Sequence, residues 1–391
     1  MHRLVASFWI VSAFFSLHAE TVLVLPFSNQ SNSTNLDWIG ESISEALRES
    51  LVSGDVLALE REDRLEVFRR LSLRPNAVLT LASIIKVGEA LDASEVVYGH
   101  YDLADSAVGS SRGMLRIGAR ILNLRRLRQG PDLEESGAVE DLAALEARLS
   151  WQVLKTLSPK TAPGEQAFLR ARPRVRLDAL ESYMRGLLAA SPEQRHRFFM
   201  QAARLDAAYS QPCFQLGKSY WGRKDYRVAA GWLGRVHAGD PHYLEAQFFL
   251  GLCSYQMGDY AAAVKGLETV AASVPLNEVY NDLGAAQTRS NLTAAIESFR
   301  KALEGDSADP DYHFNLGYAL WKAGQFPAAA DSFRAVLERN PNDEEAAALL
   351  SHAERREPFR PGSEGHERVK TNYEETAYRQ LKAELAGKAS P

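Results

Sequence analysis

The stretch from Pro310 to Pro341, PDYHFNLGYALWKAGQFPAAADSFRAVLERNP, decides the architecture of half the chain. Leu316-Gly317 belongs to one helix, Gly324-Gln325-Phe326 marks a turn, Ala329, Phe333 and Val336 follow on a second helix, and Pro341 ends it. Working outward, the same order recurs from Leu244 to Pro275 as Leu250-Gly251, Gly258-Asp259-Tyr260, Ala263, Leu267 and the closing Pro275. It recurs again from Ser210, with Tyr220, Asp225-Tyr226, Ala229, Leu233 and Pro241. The pairs Leu216-Gly217, Leu250-Gly251, Leu283-Gly284 and Leu316-Gly317 lie 34, 33 and 33 residues apart. A fixed period of this length predicts stacked helical hairpins, with glycine and alanine where two antiparallel helices touch and large residues filling the gap to the next hairpin.

Two further repeats are degenerate. The one from Asn277 keeps Tyr280, Leu283-Gly284, Ala295, Phe299 and Ala302 with a shorter turn, and the one from about Leu177 keeps Gly186, Phe199, Ala202 and Leu205. In spacing and residue type these hairpins resemble the tetratricopeptide repeat, TPR. The resemblance implies an all-α solenoid over residues 177–356, about five hairpins and a closing helix, whose first helices line a concave groove. Placing the inward positions of that family on this chain gives Tyr183, Phe214, Lys218, Trp221, Phe248, Leu252, Tyr255, Asn281, Arg289, Phe314, Tyr318, Trp321 and Lys322. Rigid aromatics with a few cations suit a protein or peptide partner, since Lys and Arg can hold carboxylates. The competing reading is that individual aromatics only pack between hairpins. The Lys and Asn pattern of a carboxylate clamp is not matched. Residues 357–391, charged and proline-bearing at their start, are expected to be mostly disordered, with a short helix around Thr371 to Ala386.

The front half has a different rhythm. Thr21 to Phe27 is a short apolar run that reads as a buried strand, and Ile39, Ile43, Leu47 and Leu51 place one apolar stripe on a helix that stops before Gly54. Strands at 55–59 and 95–101, helices at about 62–72 and 77–92, and alternation of Leu115, Ile117, Ala119 and Ile121 with more polar neighbours predict a mixed sheet with helices. Leu142, Leu145, Leu149, Val153 and Leu157 mark a last helix before a linker at 158–176. The phrases Val22-Leu23-Val24-Leu25-Pro26-Phe27-Ser28-Asn29, Leu36-Asp37-Trp38-Ile39-Gly40-Glu41 and Val96-Val97-Tyr98-Gly99 are similar to those of the TolB amino-terminal domain. That resemblance covers the α/β domain at 20–157 and implies a binding or assembly module docked to a bacterial cell-envelope assembly, without catalysis. The helical repeats stand where TolB has a propeller, so TolB's own partners do not carry over.

His2 and Arg3, the apolar stretch Leu4 to Leu17, and Ala19 read as a signal peptide over residues 1–19. A periplasmic or secreted location is therefore expected, or an inner-membrane anchor if the segment is not cleaved. The two cysteines, Cys213 and Cys253, are too few for a disulfide framework and are expected to be buried free thiols. A net charge of −5 argues against a nucleic-acid partner. The chain carries no phosphate loop, no dinucleotide glycine fingerprint and no zinc-type Cys/His spacing, so neither catalysis, metal nor small-molecule cofactor is expected. Alternatives are an accessory protein of an envelope enzyme or transport system, or a glycan- or membrane-surface binder using the basic strand with Arg116 and Arg120. The bland account of that strand is a charged sheet edge.

Overall fold

The computed structural model describes residues 21–31, 33–75, 77–104, 113–172, 174–360 and 366–389. The expected signal peptide lies outside the described residues. An amino-terminal mixed sheet with helices is followed by an all-α solenoid.

The sheet begins with β1 (Thr21–Val24), short β2 (Ser28–Asn29) and β3 (Leu57–Ala58), continues with β4 (Glu95–Ala104) and β5 (Met114–Asn123), and adds β6 (Arg128–Gln129) and β7 (Leu133–Ala138). β1 runs parallel to β3 and β4, β2 also runs parallel to β4, and β5 is antiparallel to β4, β6 and β7. Successive residues of β1 point to opposite faces, and both faces are covered. Val22 and Val24 meet α1 (Trp38–Ser53), while Leu23 and Leu25 meet α2 (Arg61–Arg70) and α3 (Leu81–Ala90). This explains why β1 is apolar throughout. The basic strand is not an edge: β5 is paired on both sides, with Arg116 opposite Asp102 of β4 and Ser136 of β7. β7 has no counterpart in the sequence reading, because its half-exposed LEESGA carries almost no apolar pattern.

The helix α4 (Leu142–Leu157) lies on α1, burying Leu145, Leu149 and Val153 against Ile43 and Leu47. Within the expected linker, α5 (Glu165–Ala171) forms and buries Phe168. The solenoid then comprises five hairpins: α6 (Leu177–Leu188) with α7 (Pro192–Leu205), α8 (Gln211–Gly222) with α9 (Tyr226–Leu233), α10 (Tyr243–Gln256) with α11 (Tyr260–Ser273), α12 (Asn277–Gln287) with α13 (Leu292–Gly305), and α14 (Pro310–Lys322) with α15 (Phe326–Arg339). The closing helix is α16 (Glu344–Glu354). The Leu-Gly beats mark close approach: a Cβ on Gly284 would stand 2.7 Å from Phe299, and one on Gly317 2.9 Å from Phe333. Second helices start from recurrent caps, in which Asp225, Asp259 and Asn291 accept the backbone N–H of Val228, Ala262 and Ala294.

One apolar core runs from the sheet into the first three hairpins and reaches α12. Polar contacts reinforce the junction: Arg61 donates to the Leu187 carbonyl at 3.2 Å, Arg185 to Asn35 Oδ1 at 2.7 Å, and Gln211 to Glu49 Oε1 at 2.6 Å. Beneath it, Arg64 is buried and joins Glu41 at 2.6 Å and Ser44 at 2.7 Å. Burial disfavours the Glu41 charge, but Arg64 and Arg61 outweigh it and hold the carboxyl below its ordinary value. Both cysteines are buried free thiols. Among the described residues no helix is long and apolar enough to cross a membrane.

The segment after α16 corrects the expectation of a mostly disordered tail. Residues 366–374 lie extended along the groove, and α17 (Glu375–Ala389) continues onto the α/β domain. There Thr376 donates to Glu60 Oε1 at 3.2 Å, and Arg379 donates to the Val52 carbonyl at 3.3 Å.

Candidate functional site

Helices α10, α12 and α14, the first helices of successive repeats, and the closing helix α16 form a trough that residues 366–374 occupy. Its floor is polar and aimed at backbone. Asn281 and Asn315 are fully buried, and their side-chain amides each donate to the Arg368 carbonyl at 2.8 Å. Asn315 Oδ1 in turn accepts the Arg368 N–H at 2.7 Å, and the two asparagines are locked together by a 2.7 Å bond. Asp282 accepts the Lys370 N–H and Glu278 accepts the Glu374 N–H, each at 2.8 Å. Burial pushes the carboxyls of Asp282 and Glu278 above their ordinary range. Contacts of this kind require an extended main chain and leave side chains to be read separately.

In an extended segment, side chains alternate between two walls. On one side the Glu367 carboxylate is fully covered, 2.8 Å from the Arg289 guanidinium and 3.8 Å from Lys322 Nζ. The Tyr255 hydroxyl donates to it at 3.2 Å, and Thr288 adds a second hydroxyl donor. Burial lowers the Lys322 pKa, with Glu367 pulling the other way. On the other side Arg368 lays its guanidinium over the Phe314 ring, 3.6 Å from the centroid. It grips Asp343 through two bonds of 2.7 and 2.9 Å and reaches Glu345 at 3.1 Å. The bond from Arg368 is the main reason the Asp343 carboxyl sits below its ordinary range. Lys370 Nζ lies 2.8 Å from Asp309 and 2.7 Å from Asp311. These acids stand at the amino-terminal ends of α14 and α16, where a helix favours negative charge.

Of the residues the sequence placed in the groove, Phe248, Tyr255, Asn281, Arg289, Phe314 and Lys322 meet this segment, and Tyr318 and Trp321 meet residues 357–359 beside it. Phe248 packs at a tilt against Tyr373, ring centroids 5.3 Å apart, Tyr318 and Trp321 pack on Phe359, and Trp321 Nε1 donates to the Glu357 carbonyl at 2.8 Å. Tyr183 is instead consumed by packing between Phe199 and Tyr209 where the first hairpin abuts the α/β domain. Trp221 packs on Tyr226 and Phe249, and Leu252 is wholly in the core. Phe214 and Lys218 line a separate cleft with His242, Glu245 and Tyr373, where Lys218 bonds Glu245 at 2.7 Å. Sequence reasoning passed over Asn315, Asp282, Thr288 and the acids at 309, 311, 343 and 345. The signal for the first two was available, since Asn and Asp on the apolar first helices of adjacent repeats ask for a partner. On the sheet, Arg120 is paired with Asp132 through two bonds, so it offers less free charge to an anionic surface, while Arg116 is exposed.

Residues 220–286 and 285–344 each match the tetratricopeptide repeat family. Residues 220–344 are tetratricopeptide repeats. Among solved structures, the chain is similar to MamA of Desulfovibrio magneticus RS-1, from position 41 to its end, at 26% identity over 42% of this chain and 95% of that one, with a TM-score of 0.38. It is similar to YrrB, described as a TPR protein with an unusual peptide-binding site, at 17% identity over 46% of this chain and 92% of that one, with a TM-score of 0.41. Another MamA structure matches at 20% identity over 39% of this chain and 90% of that one, with a TM-score of 0.36. In the tetratricopeptide groove of this chain the backbone-reading asparagines and the charged walls come from three consecutive first helices and the closing helix. Among the described residues no group of three or more His, Cys, Asp or Glu converges as for a metal ion.

Proposed function

We propose that this chain is an exported, non-catalytic scaffold whose tetratricopeptide groove holds an extended segment of a protein partner, with the α/β domain docked to a cell-envelope assembly. The observation that carries the groove reading is the pair Asn281 and Asn315 clamped on the carbonyl and N–H of one extended residue. A buried asparagine spent on the main chain of another segment is the arrangement of a peptide receptor, because it fixes an extended backbone whatever the side chains. The export reading rests on residues 1–19, and the docking role of the α/β domain on its phrases similar to the TolB amino-terminal domain.

A photo-crosslinking residue placed at Tyr318 or Phe248 tests the proposal, with Val228 on the outer surface as the control. Expressed in a bacterial envelope, the groove positions are expected to capture one contiguous segment of another protein, identified by sequencing the crosslinked peptide, and Val228 is not. Crosslinks confined to the chain's own residues 357–389 even when Glu367→Lys frees the groove, or equal capture at Val228, would overturn it. Fractionation reads export separately: full-length chain retained in the cytoplasm contradicts that part alone.

A further inference from the structure

We infer that residues 366–374 are an internal stand-in for the partner: the groove selects extended segments of the pattern acid, arginine, apolar residue, lysine, and this segment excludes them until it leaves. The inference rests on the groove being a peptide receptor and adds which peptide it takes and what controls access.

Three features of the site define the pattern. Glu367 enters a pocket of two cations and two hydroxyls, a set that only an anion satisfies. Arg368 meets a ring face and a bidentate carboxylate at Asp343, geometry that a planar guanidinium fits and a lysine does not. Lys370 is held by Asp309 and Asp311. Between these, Val369 packs against the apolar core, so that position takes an apolar residue. The backbone clamps at Asn281, Asn315 and Asp282 hold the register, so the charged positions cannot slide by one residue without exchanging walls. A partner lacking this order would bury Arg289 and Lys322 without their carboxylate and leave Asp343 without its guanidinium.

Access follows from connectivity. The segment is tethered to α16 and α17, so it competes intramolecularly. Attachment through so few residues sets an effective concentration on the order of 1 mM. If the free segment binds at about 10 μM, the resident copy weakens a competitor roughly 100-fold.

The test uses the full chain and a fluorescent synthetic peptide of residues 366–374. Two variants release the resident segment from opposite walls: Arg368→Asp with Lys370→Asp, and Glu367→Lys. Both change only tail residues, and unchanged helical circular dichroism identifies chains that remain folded. Fluorescence anisotropy is expected to show the peptide binding both released chains about 100-fold more tightly than the unaltered chain. A peptide with Arg368→Asp is expected to lose at least tenfold on either released chain, and Asp343→Arg in that background is expected to restore it. Equal binding to the unaltered and released chains overturns the exclusion. Equal binding of the native and Arg368→Asp peptides, or of an uncharged extended peptide, overturns the pattern while leaving the peptide-receptor reading intact. Failure of both released chains to bind any extended peptide overturns that receptor reading itself.

Discussion

Replacing Glu146 by glutamine should make the chain more stable in alkali and leave it almost unchanged in acid. Glu146 sits on α4 at the junction with the repeats, 4% exposed, and lines a cavity of about 340 Å³ together with Ser42, Glu49, Ser150 and Tyr209. Its Oε1 has no hydrogen-bond partner, and no cation offsets its charge. Burial therefore pushes the carboxyl from its ordinary 4.5 up to about 8, with a smaller contribution from Glu49. The folded chain binds the extra proton between those values and the unfolded chain does not. Stability is consequently full below about 4.5, declines as pH rises through the window, and levels off above about 8. At about 1.4 kcal/mol per pH unit the whole decline approaches roughly 5 kcal/mol, an upper bound because the cavity admits water. Glutamine removes the ionisation while keeping the shape. Glu49, also raised by burial, titrates in both chains, so the difference between them isolates Glu146. Urea midpoints at about pH 4 and about pH 9 give the comparison: the advantage of Glu146→Gln should be near zero at the first and several kcal/mol at the second. An advantage that is the same at both values would mean the carboxyl is already charged at neutral pH, and the desolvation argument would fail.

Three other substitutions test separate parts of the structure. Arg64→Ala leaves Glu41 and Glu45 buried with fewer counter-charges and should cost about 3–5 kcal/mol in thermal or urea unfolding; a loss below about 1 kcal/mol would show that Arg61 and Arg48 suffice. Asn315→Ala removes one clamp and strands the Asn281 Oδ1, so residues 366–374 should become the first site of limited proteolysis, with a loss of about 1–3 kcal/mol. Gly99→Ala would place a Cβ 2.1 Å from the Gly118 carbonyl and 2.4 Å from Phe27, so melting should drop by the equivalent of about 1–3 kcal/mol; an unchanged melting temperature would refute the packing described for β4.

The repeats were legible because their constraint is local. A helix pair can approach closely only where a side chain is missing, and Gly251, Gly284 and Gly317 therefore return at a fixed period. Phe248, Phe314 and Trp321 come from setting on that register the inward positions that the tetratricopeptide resemblance implies. Tyr183 was misplaced because its position, inward in an interior repeat, is covered here by the α/β junction. Of the tail, a short helix was expected around Thr371 to Ala386 and α17 forms at Glu375–Ala389, but the extended segment before it was not legible. Glu367, Arg368 and Lys370 read as a solvated charge run, and what orders them are Asn281, Asp309 and Asp343, 25 to 87 residues earlier in the chain. No local pattern encodes a partner at that separation. β7 was missed for a related reason: Glu135 is held by Arg148 and Gln152 of α4, a polar anchor without an apolar signature.

The path of residues 366–389 has a mechanical consequence. In a simple stack each hairpin touches only its neighbours, and the outermost one frays independently of the rest. Here Asp343 at one end and Glu60 and Val52 at the other are fastened by the stretch from Arg368 to Arg379, which turns an open spring into a braced bow. Amide exchange in α14 and in the sheet should then slow together while the brace is in place, and lose that coordination once it is cut.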